Sequence, residues 1–504
     1  MNKQRAIIIG GGVGGLFTGA FLAKNGLRVT ILEKNPMYGG GLQCFSRHGK
    51  SFETGMHIMG GFEENGVLSK ICNYLGILEE LNIQHVPSEC MDEIIYSHNG
   101  TRYTIASGKE GFVKSLAIHF PQEEKGLRTY VDKLFELTEE LPLFYLKESP
   151  TGMLPHSEMF TWSADKLINH YIKDQKLQEL LAYLNPLYGG LKGHTPAYIH
   201  ALINVLFISG ASRFESGSQQ LADALKNVIE QWGGQILCNK EVVEIRVQDK
   251  RITELMTSDG TVYNGDWYIS SIHPTVLSQL ISSGAFRRNF IKRLNEIPNS
   301  YSAFSLYIDL KTNRFRYIDH TCYFMDDFGL MWNQDEVNVS GKIRAFMFMT
   351  PPEIHQGEYA TRLLVHCVMS FEEVRKWENT LVGKRGEGYE EWKRSISEQI
   401  LSKLETLYPD FREMITEIHS SSPLSIRDYF HTKEGSMFGY RKDCEYTIFS
   451  YLPVHTKVKN LFLTGQNVNL HGMCGVPLTA IHTAEAILGH NNLVKAINDA
   501  YETK

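Results

Sequence analysis

No stretch of eighteen or more apolar residues occurs in the chain, so no transmembrane helix is expected. The best candidate, Tyr198 to Ala211, is broken by His200 and Asn204. The amino terminus, MNKQRAIIIGGG, is too brief for a signal-peptide apolar region and lacks a cleavage pattern. The expectation is a cytoplasmic protein, with contact at a membrane surface left open. Basic runs and basic–aromatic stripes are missing as well. Lys and Arg number 51 against 57 Asp and Glu, a net charge of −6 that gives nucleic-acid binding no electrostatic footing. CxxC pairs are absent too. Cys44, Cys72, Cys90, Cys238, Cys322, Cys367, Cys444 and Cys474 lie scattered, as free or buried thiols do in a reducing compartment. With 42% apolar and 21% charged residues, and no low-complexity segment or solenoid-period repeat, disorder and fibrous structure are excluded.

What is present begins at the amino terminus. Ala6 to Ile9 is a short apolar run suited to a buried parallel strand. Glycines follow, then a helical stretch carrying Leu16, Ala20 and Ala23, closed by Asn25-Gly26. Arg28 to Leu32 reads as a second strand with Glu33 at its end, which completes a βαβ opening. Residues 66 to 210 read as mostly helical, with Leu127, Tyr130, Leu134 and Leu137 at helical spacing. Around Leu141 to Trp162, prolines interrupt an aromatic-rich stretch that is either irregular packing or a lipophilic entrance. Ser218 is placed to cap a helix through Trp232, after which strands Val243–Val247, Ile252–Met256 and Thr261–Tyr263 turn at Asp249-Lys250 and Asp259-Gly260. Strands are also expected at Tyr301–Leu310, Thr321–Met325, Arg344–Met349, Leu363–Met369 and Leu461–Leu463. Helices are expected at Tyr389–Tyr408 and Pro477–Leu488, the latter with proline in its first turn. The fold expected is α/β: a Rossmann-type nucleotide domain in three segments (1–65, 212–284 and 436–504), with an inserted α+β substrate domain (66–211 and 285–435).

Gly10, Gly12 and Gly15 form GxGxxG between a strand and a helix. The first glycine permits the tight turn, the second lets backbone approach a pyrophosphate, and the third lets the helix pack on the sheet. Phosphate then sits at the helix amino terminus, where free N–H groups favour an anion. Glu33 follows 18 residues after the last of these glycines, where its carboxylate can accept ribose hydroxyls and disfavours a 2′-phosphate. FAD and NAD both satisfy this much. The second glycine cluster, Gly39-Gly40-Gly41, and the stretch Phe52 to His57 have no role in a simple NAD site. They suit a chain that runs under a pyrophosphate and on toward a flavin ring.

These stretches, with Gly217–Pro274 and Leu461–Val476, resemble the phytoene desaturase, carotenoid isomerase and retinol saturase family of FAD-dependent oxidoreductases. That family lies within the larger amine-oxidase-like group, and the chain is nearest its retinol saturase branch. The resemblance implies ADP binding by Gly10, Gly12, Gly14, Gly15 and Glu33, an adenine contact at Val242, and ribitol or pyrophosphate contacts at Gly465 and Gln466. It also places Gly475 and Val476 where the last helix points at the flavin. Lys34, Gly40, Gly41, Leu42, Gly55, Met56 and His57 complete the expected cofactor set. Departures from the family pattern are Gly41 and Gln43 in place of arginines, Glu53 in place of aspartate, and Gln466 in place of an acid.

His57 and His471 lie within cofactor motifs and are the candidate acid catalysts, against a purely structural role for each. Tyr440 is a weaker candidate, read first as core. The acid pairs Glu123-Glu124 and Glu390-Glu391 read as solvated helix faces. His471 and Cys474 do not make a zinc site, and no metal is expected. With no second GxGxxG, the electron donor is not visible. The function implied is saturation, desaturation or isomerisation of a double bond in a lipophilic polyene or isoprenoid. An amine oxidase and a non-enzymatic carrier of prenylated proteins are the alternatives.

Overall fold

The computed structural model describes residues 3–47, 49–55, 57–150, 154–332, 337–354, 357–445 and 451–502. The apolar run at the amino terminus becomes the strand Arg5–Ile9, buried from Ala6 onward because it sits in the middle of a sheet. That five-stranded sheet has the order Leu461–Leu463, Trp267–Ser270, Arg5–Ile9, Arg28–Leu32, Gln235–Leu237, and every pairing in it is parallel. The helix Val13–Lys24 packs against both Gly472–Leu488 and Gln219–Gln231. Its approach to the sheet depends on glycine: a Cβ on Gly15 would lie 2.0 Å from the Gly10 carbonyl oxygen, and one on Gly14 would lie 2.8 Å from the Gly465 Cα.

A seven-stranded sheet forms the second layer, in the order Ile415–Ser421, Ser302–Leu310, Arg362–Met369, Ala345–Met349, Thr321–Met325, Asp92–Tyr96, Thr101–Ile105. Its pairings are antiparallel except that of Thr321–Met325 with Asp92–Tyr96. Alternation gives it two apolar faces. Phe304, Leu306, Ile308, Phe348 and Val365 pack with Ile396, Ile400 and Leu404 of the helix Glu387–Leu407. Ala303, Ser305, Met347, His366 and Val368 point the other way, into a cavity. Every strand of the parallel sheet falls within 1–65, 212–284 or 436–504. Every strand of the larger sheet falls within 66–211 or 285–435. We propose this division as the two domains.

Several expectations are corrected. The segment 66–210 is not only helical: Ile83–His85, Asp92–Tyr96 and Thr101–Ile105 are strands, the last alternating buried and exposed side chains from Arg102 to Ile105. Ser218 stands at its helix start, but its hydroxyl donates to the Leu42 carbonyl at 3.1 Å and caps no helical N–H. The last helix begins at Gly472, so Pro477 lies inside it and the Met473 carbonyl has no N–H donor four residues on. Glu123 is buried, accepting the Lys173 and Asp174 N–H groups at 2.9 and 2.6 Å, whereas Glu124 is exposed and pairs with Arg128.

Candidate active site

The two sheets meet over a cavity of about 1030 Å³, at the upper end of the ~300–1,000 Å³ usual for small-molecule sites. Of the residues expected to hold a cofactor, Gly10, Gly12, Gly14, Glu33, Lys34, Gly40, Gly41, Leu42, Gly55, His57, Val242, Gly465, Gln466, Gly475 and Val476 all border it, as does His471. Gly15 does not; it lies behind the turn, where its missing side chain admits the Gly10 carbonyl. Met56 lies outside the described residues.

The residues at the parallel-sheet end fit a flavin adenine dinucleotide. A Cβ on Gly12 or Gly41 would meet no protein atom within 4 Å, so space is kept beside both backbones. The helix Val13–Lys24 opens there with no side chain capping its first N–H groups. Glu33, at the carboxyl end of its strand, accepts the Gly11 N–H at 2.7 Å and the Asn35 N–H at 2.8 Å. Burial pushes its carboxyl up, opposed by those backbone donors and by the charge of Lys34. The carboxylate thus braces the glycine turn and stands beside the space a ribose would fill. Both ring nitrogens of His471 are buried with no hydrogen bond to the protein, and burial reinforced by Lys442 lowers its pKa to about 3. Gly475 borders the cavity and is also needed for packing. Its Cβ position points at Leu470, 2.6 Å from that side chain's Cβ, so glycine is needed for the turn to pack and only its backbone borders the cavity.

Arg427, Asp428, His431 and Lys433, from the helix Pro423–Phe430 and the residues after it, form a second group at this end, of which sequence reading did not name Asp428, His431 and Lys433. Asn35 reaches this helix, its amide donating to the Tyr429 carbonyl at 3.1 Å. Nothing in the local sequence marks these residues as part of a nucleotide cleft.

The opposite end has no formal charge among the described residues. Ile203, Leu206 and Phe207 come from the buried helix Ala197–Ser209, Ala303, Met325, Ala345, Met347 and Val368 from the larger sheet. The same helix turns His200 and Asn204 elsewhere: His200 meets the Tyr130 hydroxyl at 2.6 Å and the Tyr188 hydroxyl at 2.9 Å. The Leu141–Trp162 stretch supplies no described residue to this cavity. It packs as irregular scaffold, Phe160 stacking on Tyr198 at 4.4 Å, and its Phe144 borders a small neighbouring pocket with Ile203, Leu206 and His471. Tyr440 is core: its hydroxyl donates to the Leu294 carbonyl at 2.7 Å.

A hairpin joins the two ends. Cys44–Arg47 and Lys50–Glu53 pair antiparallel, and Phe45 and Phe52 pack edge-on against Tyr307 of the larger sheet at 4.8 and 5.6 Å. The chain leaving the hairpin delivers His57 to the sheet, where its ring stacks on His366 at 4.1 Å. The His57 Nδ1 lies 3.4 Å from Glu53 Oε2. Burial lowers the His57 pKa to about 3, with the Arg213 charge adding to it, and pushes the Glu53 carboxyl up to about 8 against the pull of Ser218, Arg362 and Arg213. His366 was read only as part of a strand. Its signal was a lone imidazole in the apolar run Leu363–Met369.

The family described as flavin containing amine oxidoreductase matches residues 13–488. The all-trans-retinol 13,14-reductase of Rattus norvegicus is 26% identical, over 97% of this chain and 86% of its own length. The 4,4'-diapophytoene desaturase of Staphylococcus haemolyticus is 24% identical, over 95% of this chain and 98% of its own. Among solved structures, an oxidoreductase from Methanosarcina mazei superposes with a TM-score of 0.65 at 17% identity, covering 95% of this chain and 100% of that one, a likeness of fold.

Proposed function

The chain belongs to the flavin-containing amine oxidoreductase family, and from that premise we propose that this FAD-dependent oxidoreductase acts on a carbon–carbon double bond of a lipophilic polyene or isoprenoid. The observation that carries the reading is the asymmetry of the cavity: charged groups gather at its nucleotide end, and the other end is apolar with neutral polar groups only. A protonated amine would need a carboxylate or an aromatic cage there. An extended hydrocarbon needs dry walls, and the retinol and diapophytoene relatives are named for such substrates. The flavin, when bound, exchanges a hydride with one carbon of the double bond. The protein's share is to hold and orient. Gly10, Gly12 and Gly14 would admit the pyrophosphate, Glu33 would accept ribose hydroxyls, and Gly465, Gln466 and the start of the helix Gly472–Leu488 would border the flavin. Ile203, Leu206, Phe207, Met347 and Val368 would line the hydrocarbon and keep water from the reacting carbons.

The test is incubation of the FAD-loaded protein with retinoids, carotenoids and shorter isoprenoids, followed by mass spectrometry. The expected result is gain or loss of two hydrogens, or isomerisation without mass change, in a polyene. Turnover of amines alone, with aldehyde formed, would reverse the assignment. The same reading has the protein collect its lipophilic substrate at a membrane surface; no helix among the described residues is long and apolar enough to cross one. Co-flotation with liposomes checks that.

A further inference from the structure

The cavity wall opposite the nucleotide end carries one polar row. Strand register sets Ser421 beside Ser305, Ser305 beside His366, His366 beside Met347, and Met347 beside Tyr323. Ser305 Oγ and His366 Nδ1 are 2.8 Å apart, and His366 Nε2 is buried without a partner. His57 lies flat on this ring, with Glu53 behind it. Two arginines stand near Glu53, each with a buried Nε that has no hydrogen-bond partner and with its terminal nitrogens engaged elsewhere. Arg213 donates to the Thr350 and Ile318 carbonyls and to the Thr321 hydroxyl, at 3.2–3.4 Å. Arg362 pairs with Glu353 at 3.0 Å and donates to the Ser51 carbonyl. Glu53 Oε1 is buried with no hydrogen bond, and burial outweighs the pull of Ser218, Arg362 and Arg213 on the carboxyl.

We propose that Glu53, His57 and His366 form a proton relay, in which Glu53 stores a proton, His57 passes it to the substrate double bond, and His366 holds the His57 ring in place. The inference rests on the double-bond reading above and adds the source of the proton for saturation of that bond. His57 Nδ1 accepts from the Glu53 carboxyl, which leaves the proton on Nε2. In saturation a bound flavin, once reduced by an external two-electron donor, would supply the hydride and both electrons at one carbon, while at the neighbouring carbon the Nε2–H bond breaks and a C–H bond forms. The Glu53 O–H proton moves to Nδ1 and Glu53 is left as carboxylate; a proton from solvent then enters at Nε2 as the Nδ1 proton returns to Glu53, which restores the starting state. The groups facing this set are Cys44, paired across the hairpin with Glu53, Ser218, Arg213 and Arg362 around the carboxyl, and Ser305 and Tyr307 beside His366. With burial holding the Glu53 carboxyl at about 8 and His57 at about 3, the relay is loaded at neutral pH.

Infrared difference spectra of the FAD-loaded protein, without substrate, test the store directly. A carboxylic C=O stretch should be present at neutral pH, disappear on titration near pH 8, and be missing from Glu53→Gln. With a polyene that the wild type reduces, Glu53→Gln should lower kcat about 100-fold or more, as loss of general acid catalysis does, with KM and flavin spectrum kept. His366→Ala should lose kcat that His366→Phe, which keeps a flat ring against His57, retains. A wild-type spectrum without the band, or one that Glu53→Gln leaves unchanged, overturns the relay whatever the substrate. Wild-type rates in Glu53→Gln overturn the relay and leave the double-bond reading standing. A normal band in a protein that turns over no alkene overturns both.

Discussion

The two ends of the cavity are built by different rules. At the nucleotide end, backbone atoms do the recognising, so the sequence must supply glycine wherever a carbonyl, a helix or a ligand approaches closely. At the substrate end, side chains from strands far apart in sequence meet on one sheet face, and each position tolerates any residue of suitable size and polarity. The first kind of site is written in a few adjacent residues. The second exists only once the sheet is assembled.

The sharpest way to break this contrast is a pair of alanines. In Gly15→Ala the new Cβ would fall 2.0 Å from a backbone oxygen, a clash at or beyond the upper end of the ~1–3 kcal/mol of ordinary overpacking, so the melting temperature and the flavin should be lost together. In Gly12→Ala the Cβ meets nothing in the protein, so the melting temperature of the apoprotein should hold while flavin absorbance is lost. If Gly12→Ala binds FAD as wild type does, the space beside Gly12 is not reserved for phosphate.

Acid should next weaken the molecule through its buried histidines. His57, His200 and His471 are held neutral with pKa about 3, His273 about 4, and His366 well below its ordinary value, all chiefly by burial. Each folded pKa is depressed, so the stability it lends is complete above about 6.5 and is lost as pH falls toward 3. At pH 5 that is on the order of 2 kcal/mol for each fully buried histidine. Glu53 and Asp92, raised to about 8 and 7, act in the opposite sense: the stability they lend is complete below the ordinary carboxyl range and is lost as pH rises through those values. Denaturant titrations should therefore show a maximum near pH 6.5, with the steeper fall on the acid side. A flat profile from pH 4 to 7 would mean that these imidazoles are solvated.

Glu33→Gln keeps the shape of the carboxylate and removes its charge. Weaker bonds to ribose and to the Gly11 N–H should cost about 1.5–3 kcal/mol of FAD affinity, roughly ten- to a hundredfold in Kd by fluorescence titration. The smallest effect is expected from Ala345→Leu, whose added bulk enters the cavity and not the core. KM for a long polyene should rise several-fold with flavin content and melting temperature unchanged.

What the residues disclosed in advance follows the same division. The glycine turn, Glu33, Gly41, His57 and Gly465 could be named because tight backbone approach restricts residue type locally. His366 could not, because its neighbours Ser305 and Met347 reach it only through register between distant strands. Asp428, His431 and Lys433 were hidden for the same reason. Thr101–Ile105 carries a period-two pattern that the surrounding helices obscured. The start of the last helix was misplaced because proline usually marks a first turn, whereas here Pro477 is accommodated deep in a helix already begun at Gly472.

The interleaving of the two sheets also bears on how the chain is made. Asp92–Tyr96 must wait for Thr321–Met325, and Trp267–Ser270 must wait for Leu461–Leu463. During synthesis, therefore, neither layer can close early, and strand edges stay open on the ribosome through most of translation. Such long-range pairing folds slowly and invites aggregation. Low temperature and chaperone supply should raise the yield of folded protein more than any single stabilising substitution on its surface.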